Sequence, residues 1–186
     1  MKYDINSVIA QYRKNKNLKY IFFWGHNPKV PEFVDKACLS QWYSCRFTVD
    51  NTEYHTAEQY MMAQKAVLFN DMVIYDRIMA SDNPAEYKKL GRLIHNFDEE
   101  IWNSRKCEIV IKGNTAKFSQ NPELTEFILK TGNRILVEAS PYDRIWGIGL
   151  SQNDAGIFNP LKWNGTNLLG FCLMEARDII INRNAE

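Results

Sequence analysis

The stretch 98-DEEIWNSRKCEIVIKGNTAKFSQNPELTEFILKTGNRILVE-138 decides the fold. It predicts one long helix over about Asp98–Ser119, carrying Ile101, Trp102, Arg105 and Ile109. Asn121-Pro122 then opens a second helix, since Pro is favoured in a first turn, and that helix stops near Gly132. A lone strand, Ile135–Glu138, follows. Two consecutive helices for one strand is not the alternation of a parallel α/β fold. Working outward, Asp4 caps an N-terminal helix with Ile5, Val8, Ile9 and Tyr12 at helical spacing. Tyr20–Trp24 is expected to be a buried strand ending at Gly25. Cys45–Val49 and Glu53–His55 flank Asp50-Asn51 as a short hairpin. Thr56 and Gln59 form a capping box ahead of a helix through MMAQKAVLF, and Asn83-Pro84 opens another. Thr166–Ile181 gives a last amphipathic helix. The class is α+β: a helix-rich single domain over residues 1–186 with a few short strands.

Composition narrows the function. Of 186 residues, 23 are Lys or Arg and 22 are Asp or Glu, leaving a formal charge of +1. A chain that lives on non-specific nucleic-acid binding shows a basic excess, and this one does not. A small anionic ligand needs only one or two local basic residues. The 13% aromatic content, with 5 Trp, is rich and suits the stacking of planar groups. The longest apolar run, Tyr20–Trp24, is far short of the roughly 20 residues that span a bilayer. The N-terminus lacks a signal peptide's apolar core, so no membrane partner and a cytoplasmic location are expected. Cys38, Cys45, Cys107 and Cys172 are scattered and read as reduced thiols. His26, His55 and His95 are isolated, so neither metal nor cofactor is expected.

Four segments concentrate chemistry. In 57-AEQYMMAQKAVLF-69, Glu58 and Lys65 are seven residues apart and share nearly one helix face, roughly 10 Å from each other. A solvated charge pair would look the same as a partly desolvated lysine with a nucleophilic amine, and periodicity leaves both open. Trp102 on the long helix is either core or the wall of a slot for a planar base. The densest segment is 138-EASPYDRIWGIGL-150, where a strand ends and a loop presents Tyr142, Asp143, Arg144 and Trp146 before Gly147 and Gly149. Glycines there allow close backbone approach, and Asp143 either caps backbone amides or serves a ligand beside Trp146. A fourth segment, 164-NGTNLLGFCLMEARDII-180, places Asn167, Gly170 and Arg177 along an apolar stripe, with Arg177 expected to anchor a carboxylate within the fold.

The ordered series TAEQYMMAQKA, AEYKKLGR, TAKFSQNPELTEFILKTG, LVEASPYDRIWGIG and NLLGFCLMEAR, from about Tyr20 to Ile180, resembles the NADAR superfamily, also called YbiA-like or DUF1768. The resemblance implies an N-glycosidase acting on ribosylamino-pyrimidine phosphates of early riboflavin biosynthesis. Similar family members remove ADP-ribose from guanine bases, so ADP-ribosylated nucleic acid is an alternative partner to a small nucleotide-like substrate. By motif position the family's functional glutamate and lysine match Glu58 and Lys65. Its tryptophans match Trp102 and Trp146, and its acidic loop positions match Glu138 and Asp143. Three departures stand out. Leu39-Ser40-Gln41-Trp42 replaces a motif that usually reads Leu/Phe-Ser-Asn-Phe, Asn167-Leu168-Leu169-Gly170 replaces Asn-Arg-Leu-Gly, and a longer loop fills 151–164.

Two routes cleave an N-ribosyl bond with these groups. In one, two carboxyls act as acid and base on water. In the other, an amine forms an imine at the sugar C1 that water hydrolyses. Lysine among apolar neighbours favours the second, with Lys65 as nucleophile and Glu58 and Asp143 sharing proton transfers. Trp102, Trp146, Glu138, Tyr142 and Gly147 then form the substrate-binding set. The competing class is a non-catalytic module that binds ADP-ribose or another nucleotide in the same slot.

Overall fold

The computed structural model describes residues 1–183, and these form seven α-helices and four short strands. Helix α1 (Ile5–Lys14) starts at Asp4, whose side chain accepts the Ser7 N–H in a capping box. Strand β1 (Tyr20–Phe23) follows and ends one residue earlier than expected. Strands β2 (Phe47–Val49) and β3 (Thr52–Tyr54) make the antiparallel hairpin. Asp50 and Asn51 both take the positive φ that a tight two-residue hairpin turn requires. Helices α2 (Ala57–Leu68), α3 (Met72–Met79), α4 (Pro84–Leu90), α5 (Glu99–Ser119) and α6 (Pro122–Lys130) come next. Strand β4 (Ile135–Glu138) and helix α7 (Leu168–Arg183) complete the order.

β4 pairs with β1 in parallel, setting Phe23 opposite Glu138. This two-stranded unit joins residues more than a hundred positions apart, and both strands run toward one end. α7 packs on β4 and α5, and α5 packs in turn on α2. Contact between α7 and β4 is close enough that a Cβ on Gly170 would sit 2.0 Å from the Leu136 carbonyl oxygen. No helix among the described residues is long and apolar enough to cross a membrane.

Four local expectations change. β1 is mostly half-buried, with only Phe23 fully covered. Thr56 does cap α2, but the Gln59 side chain accepts the His55 N–H, so the reciprocal box is absent. α3, which periodicity did not pick out, is nucleated by Asp71 accepting the Ile74 N–H. α7 is not amphipathic over its first half: Leu169 to Met174 are all buried, because it lies between β4 and α5.

Candidate active site

The site forms where the parallel strands end. Glu138 is the last residue of β4, and its backbone N–H donates to Asn167 Oδ1 at 3.0 Å. The same buried side chain donates through Nδ2 to Leu136 O at 2.9 Å. Asn167 takes φ +55°, a left-handed conformation that Asn tolerates better than most residues. The chain leaving β4 turns back on itself, with Ile148 N–H on Glu138 O at 3.0 Å and Gly149 N–H on Asp143 O at 3.0 Å. Gly147 sits in the crook, where a Cβ would be 3.0 Å from both the Asp143 and Glu138 carbonyl oxygens. Asp143 Oδ1 accepts the N–H groups of Ile145 and Trp146 at 2.9 and 2.8 Å, which fixes the carboxyl and the start of the Trp146 loop.

Glu58 enters from the first turn of α2. It is only 5% exposed, and its backbone N–H donates to Gln41 O at 2.9 Å. Burial pushes its carboxyl up to about 7; the charge of Lys88 and the Trp42 side chain oppose the rise, while the charge of Asp143 adds to it. Glu138 is pushed up to about 8, again first by burial, then by Asp143 and Glu58, against Lys88. Glu58, Glu138 and Asp143 therefore lie within reach of one another's charge. The solvated-pair alternative for Glu58 and Lys65 is overturned: among the described residues no ion pair joins them, and Glu58 is buried.

Lys65 lies two turns further along α2 and is half-buried. Its Nζ donates to Gly91 O at 2.8 Å and sits over the rings of Phe97 (4.2 Å) and Trp102 (5.5 Å). Burial lowers its ammonium below the usual lysine range. The structure thus brings Lys65 to Trp102 and groups the three acids, while no acid contributes to the lysine's environment. Trp146 is half-buried and faces Lys106 Nζ at 6.0 Å from α5. Tyr142 is 87% exposed, and its ring lies 6.2 Å from that of Trp24 at the rim.

Spacing singled out neither Lys88 of α4, whose charge acts on Glu58 and Glu138, nor Trp42, which acts on Glu58. Trp42 was visible only as a departure from the family motif. Arg177 does not hold a carboxylate through its hydrogen bonds: Nη1 donates to Thr131 Oγ1 and Arg134 O, both at 2.9 Å. Among the described residues no group of three or more His, Cys, Asp or Glu is arranged to hold a metal ion.

The frame is a helix-rich α+β domain with Glu58 and Glu138 buried where its parallel strand pair ends. The chain belongs to the NADAR domain family, whose model matches residues 22–181. An N-glycosidase of Acanthamoeba polyphaga mimivirus is 45% identical over 165 residues, covering 86% of this chain and 95% of that protein. The chloroplastic riboflavin biosynthesis protein PYRR of Zea mays is 30% identical over 149 residues, 75% of this chain but 22% of that longer protein. The NMR structure of the E. coli protein YbiA superposes with a TM-score of 0.70 at 27% identity, covering 90% of this chain and 88% of that one.

Proposed function

We propose that this protein is an N-glycosidase that hydrolyses the bond between a ribosyl C1 and the nitrogen of a small nucleotide-like substrate, the ribosylamino-pyrimidine phosphates of early riboflavin biosynthesis. The whole chain acts as one NADAR domain in this reading. The observation that carries it is Glu58, a buried carboxyl pushed up to about 7 beside Glu138 and Asp143, so that a proton can be gained and lost near neutral pH. The relationship to named N-glycosidases and to a riboflavin biosynthesis protein supports the bond type and the substrate class.

Lys65 acts as nucleophile. Opening of the ribosylamine ring gives a C1=N bond, to which the neutral Lys65 amine adds. The substrate nitrogen departs with the electron pair and a proton, and water hydrolyses the resulting lysine imine, freeing the amine. Desolvation of Lys65 over Phe97 and Trp102 favours the free amine this step needs. Glu58 and Asp143 share the proton transfers, while Trp102 and Trp146 border the base. Tyr142 and Gly147 line its approach.

The deciding experiment follows base release from a ribosylamino-pyrimidine phosphate and from ADP-ribosylated guanine, side by side, with wild type and Glu58→Gln. Release from the first substrate, reduced roughly 100-fold or more in a folded Glu58→Gln protein, is the expected result. Release from ADP-ribosylated guanine alone would replace the substrate class. Saturable binding without release from either would make the protein a nucleotide-binding module.

A further inference from the structure

Trp102 and Lys106 are four residues apart on α5, so they share one face of that helix with an axial rise of about 6 Å between them. Each belongs to a lysine–indole pair. Lys65 Nζ of α2 lies 5.5 Å from the Trp102 ring, and Lys106 Nζ lies 6.0 Å from the Trp146 ring. Trp146 is held from the loop side, where Asp143 Oδ1 accepts its backbone N–H at 2.8 Å. Helix α5 therefore connects the Lys65 amine at one turn with a second ammonium at the next.

Lys106 is half-buried, and among the described residues no carboxylate pairs with it. Its hydrogen bond runs from Nζ to Asn103 Oδ1 at 2.6 Å. That bond uses the acceptor of the Asn103 amide and leaves the Nδ2 donor beside the ammonium, with no acceptor of its own among the described residues. Neighbouring cations are engaged differently. Arg105 pairs with Glu108 at 3.5 Å. Lys88 is exposed, and its charge acts on Glu58 and Glu138. Arg144 is exposed, and its stem lies along the loop, where a Cβ on Gly149 would be 3.2 Å from its Cγ. Lys106 is thus the cation beside the tryptophans whose charge the fold does not use. A compact ammonium with an amide N–H next to it suits the oxygens of a phosphate. Partial shielding from water by the indole strengthens such a bond.

We propose that Lys106, with the Asn103 amide, binds the phosphate of the substrate while the ribosyl C1 lies at Lys65. Lys106 is then a specificity-determining residue that selects a ribosyl phosphate over the phosphate-free riboside. The offset of one helical turn between Trp102 and Lys106 fits such a substrate, whose phosphate projects from C5′, across the ring oxygen from C1. The selection among substrates rests on the N-glycosidase reading, but the binding of a sugar phosphate at Lys106 does not.

The test compares wild type, Lys106→Gln and Lys106→Arg on a ribosylamino-pyrimidine phosphate and on the same ribosylamine without its phosphate. The preference for the phosphorylated substrate, taken as the ratio of the two kcat/KM values, should shrink about 10- to 100-fold in Lys106→Gln, the range for a hydrogen bond to a charged group. The change should come mainly from a raised KM, because a phosphate remote from C1 is held equally before and during bond breaking. Lys106→Arg keeps the charge and should recover most of the preference. Calorimetric titration with ribose 5-phosphate and with ribose reads the same contact without turnover. Wild type should bind the phosphate more tightly than the free sugar, and Lys106→Gln should lose that advantage. An unchanged preference in Lys106→Gln, or ribose 5-phosphate binding that does not weaken in it, would overturn the assignment. A wild type that releases no base, yet binds ribose 5-phosphate through Lys106, would remove the glycosidase reading and keep the phosphate site.

Discussion

Asn167 joins the end of β4 to the start of α7 by accepting the Glu138 N–H at 3.0 Å while donating to Leu136 O at 2.9 Å. A single buried amide thus satisfies the strand end that carries Glu138 and ties it to the residue before α7. Removing it strands two buried backbone groups. Asn167→Ala should cost about 2–4 kcal/mol, read as a melting point lower by roughly 5–15 °C. Asn167→Asp keeps the acceptor and loses the donor, and should fall between the two. A melt for Asn167→Ala within a degree of wild type would show that the strand end is held by other contacts.

Folding stability should fall as pH rises through the neutral range. Burial raises Glu58 and Glu138 from an ordinary 4.5 to about 7 and about 8, so between those values the folded chain holds protons that the unfolded chain has released. Stability from a raised acid is fully present below its unfolded pKa and is lost as pH climbs through the folded one. At about 1.4 kcal/mol per unit, Glu58 alone carries of order 3 kcal/mol across this window. Denaturant unfolding at pH 5.5 and 8.5 should show the drop, and Glu138→Gln should flatten it. Equal stability at both pH values would mean the two acids are hydrated and titrate normally.

Lys65 should be the residue that borohydride traps. Incubating enzyme, ribosylamino-pyrimidine phosphate and borohydride together is expected to leave the reduced sugar on one lysine, mapped to the peptide containing Lys65. Lys65→Arg retains positive charge but holds its proton too tightly to add to C1. It should lose both adduct and turnover. Near-normal turnover in that variant, or substrate consumption without any adduct, would leave the two-carboxylate route on water.

Trp102 and Trp146 are both half-buried and packed at the edge of the core, with a lysine facing each ring. Replacing either by Ala should weaken substrate binding by about 1–3 kcal/mol, the range for stacking on a base. Were they core residues only, the loss would appear as about 3–5 kcal/mol of stability with affinity unchanged in the folded fraction. Melts and ligand titrations on the same samples separate these outcomes.

Local signals carried much of the frame. Asp4 and Thr56 cap the helices they precede, and Asn83-Pro84 and Asn121-Pro122 open α4 and α6, because a cap or a first-turn proline acts within about four residues of itself. The family's motif positions likewise pick out Glu58, Glu138 and Asp143 together. α3 escaped because its eight residues are too few to establish a period, although Asp71 caps it in the ordinary way.

Sequence by itself determined the α+β class and the family, since these depend on spacing and local hydrogen bonding along the chain. Only the tertiary structure decided that Glu58 is buried rather than paired with Lys65, and that Lys65 lies over Phe97 and Trp102. Burial and charge are sums over neighbours from distant parts of the chain. Here β1 must find β4, α5 must clamp the 38–42 segment, and Asn167 must seal the strand end before any carboxyl acquires its character.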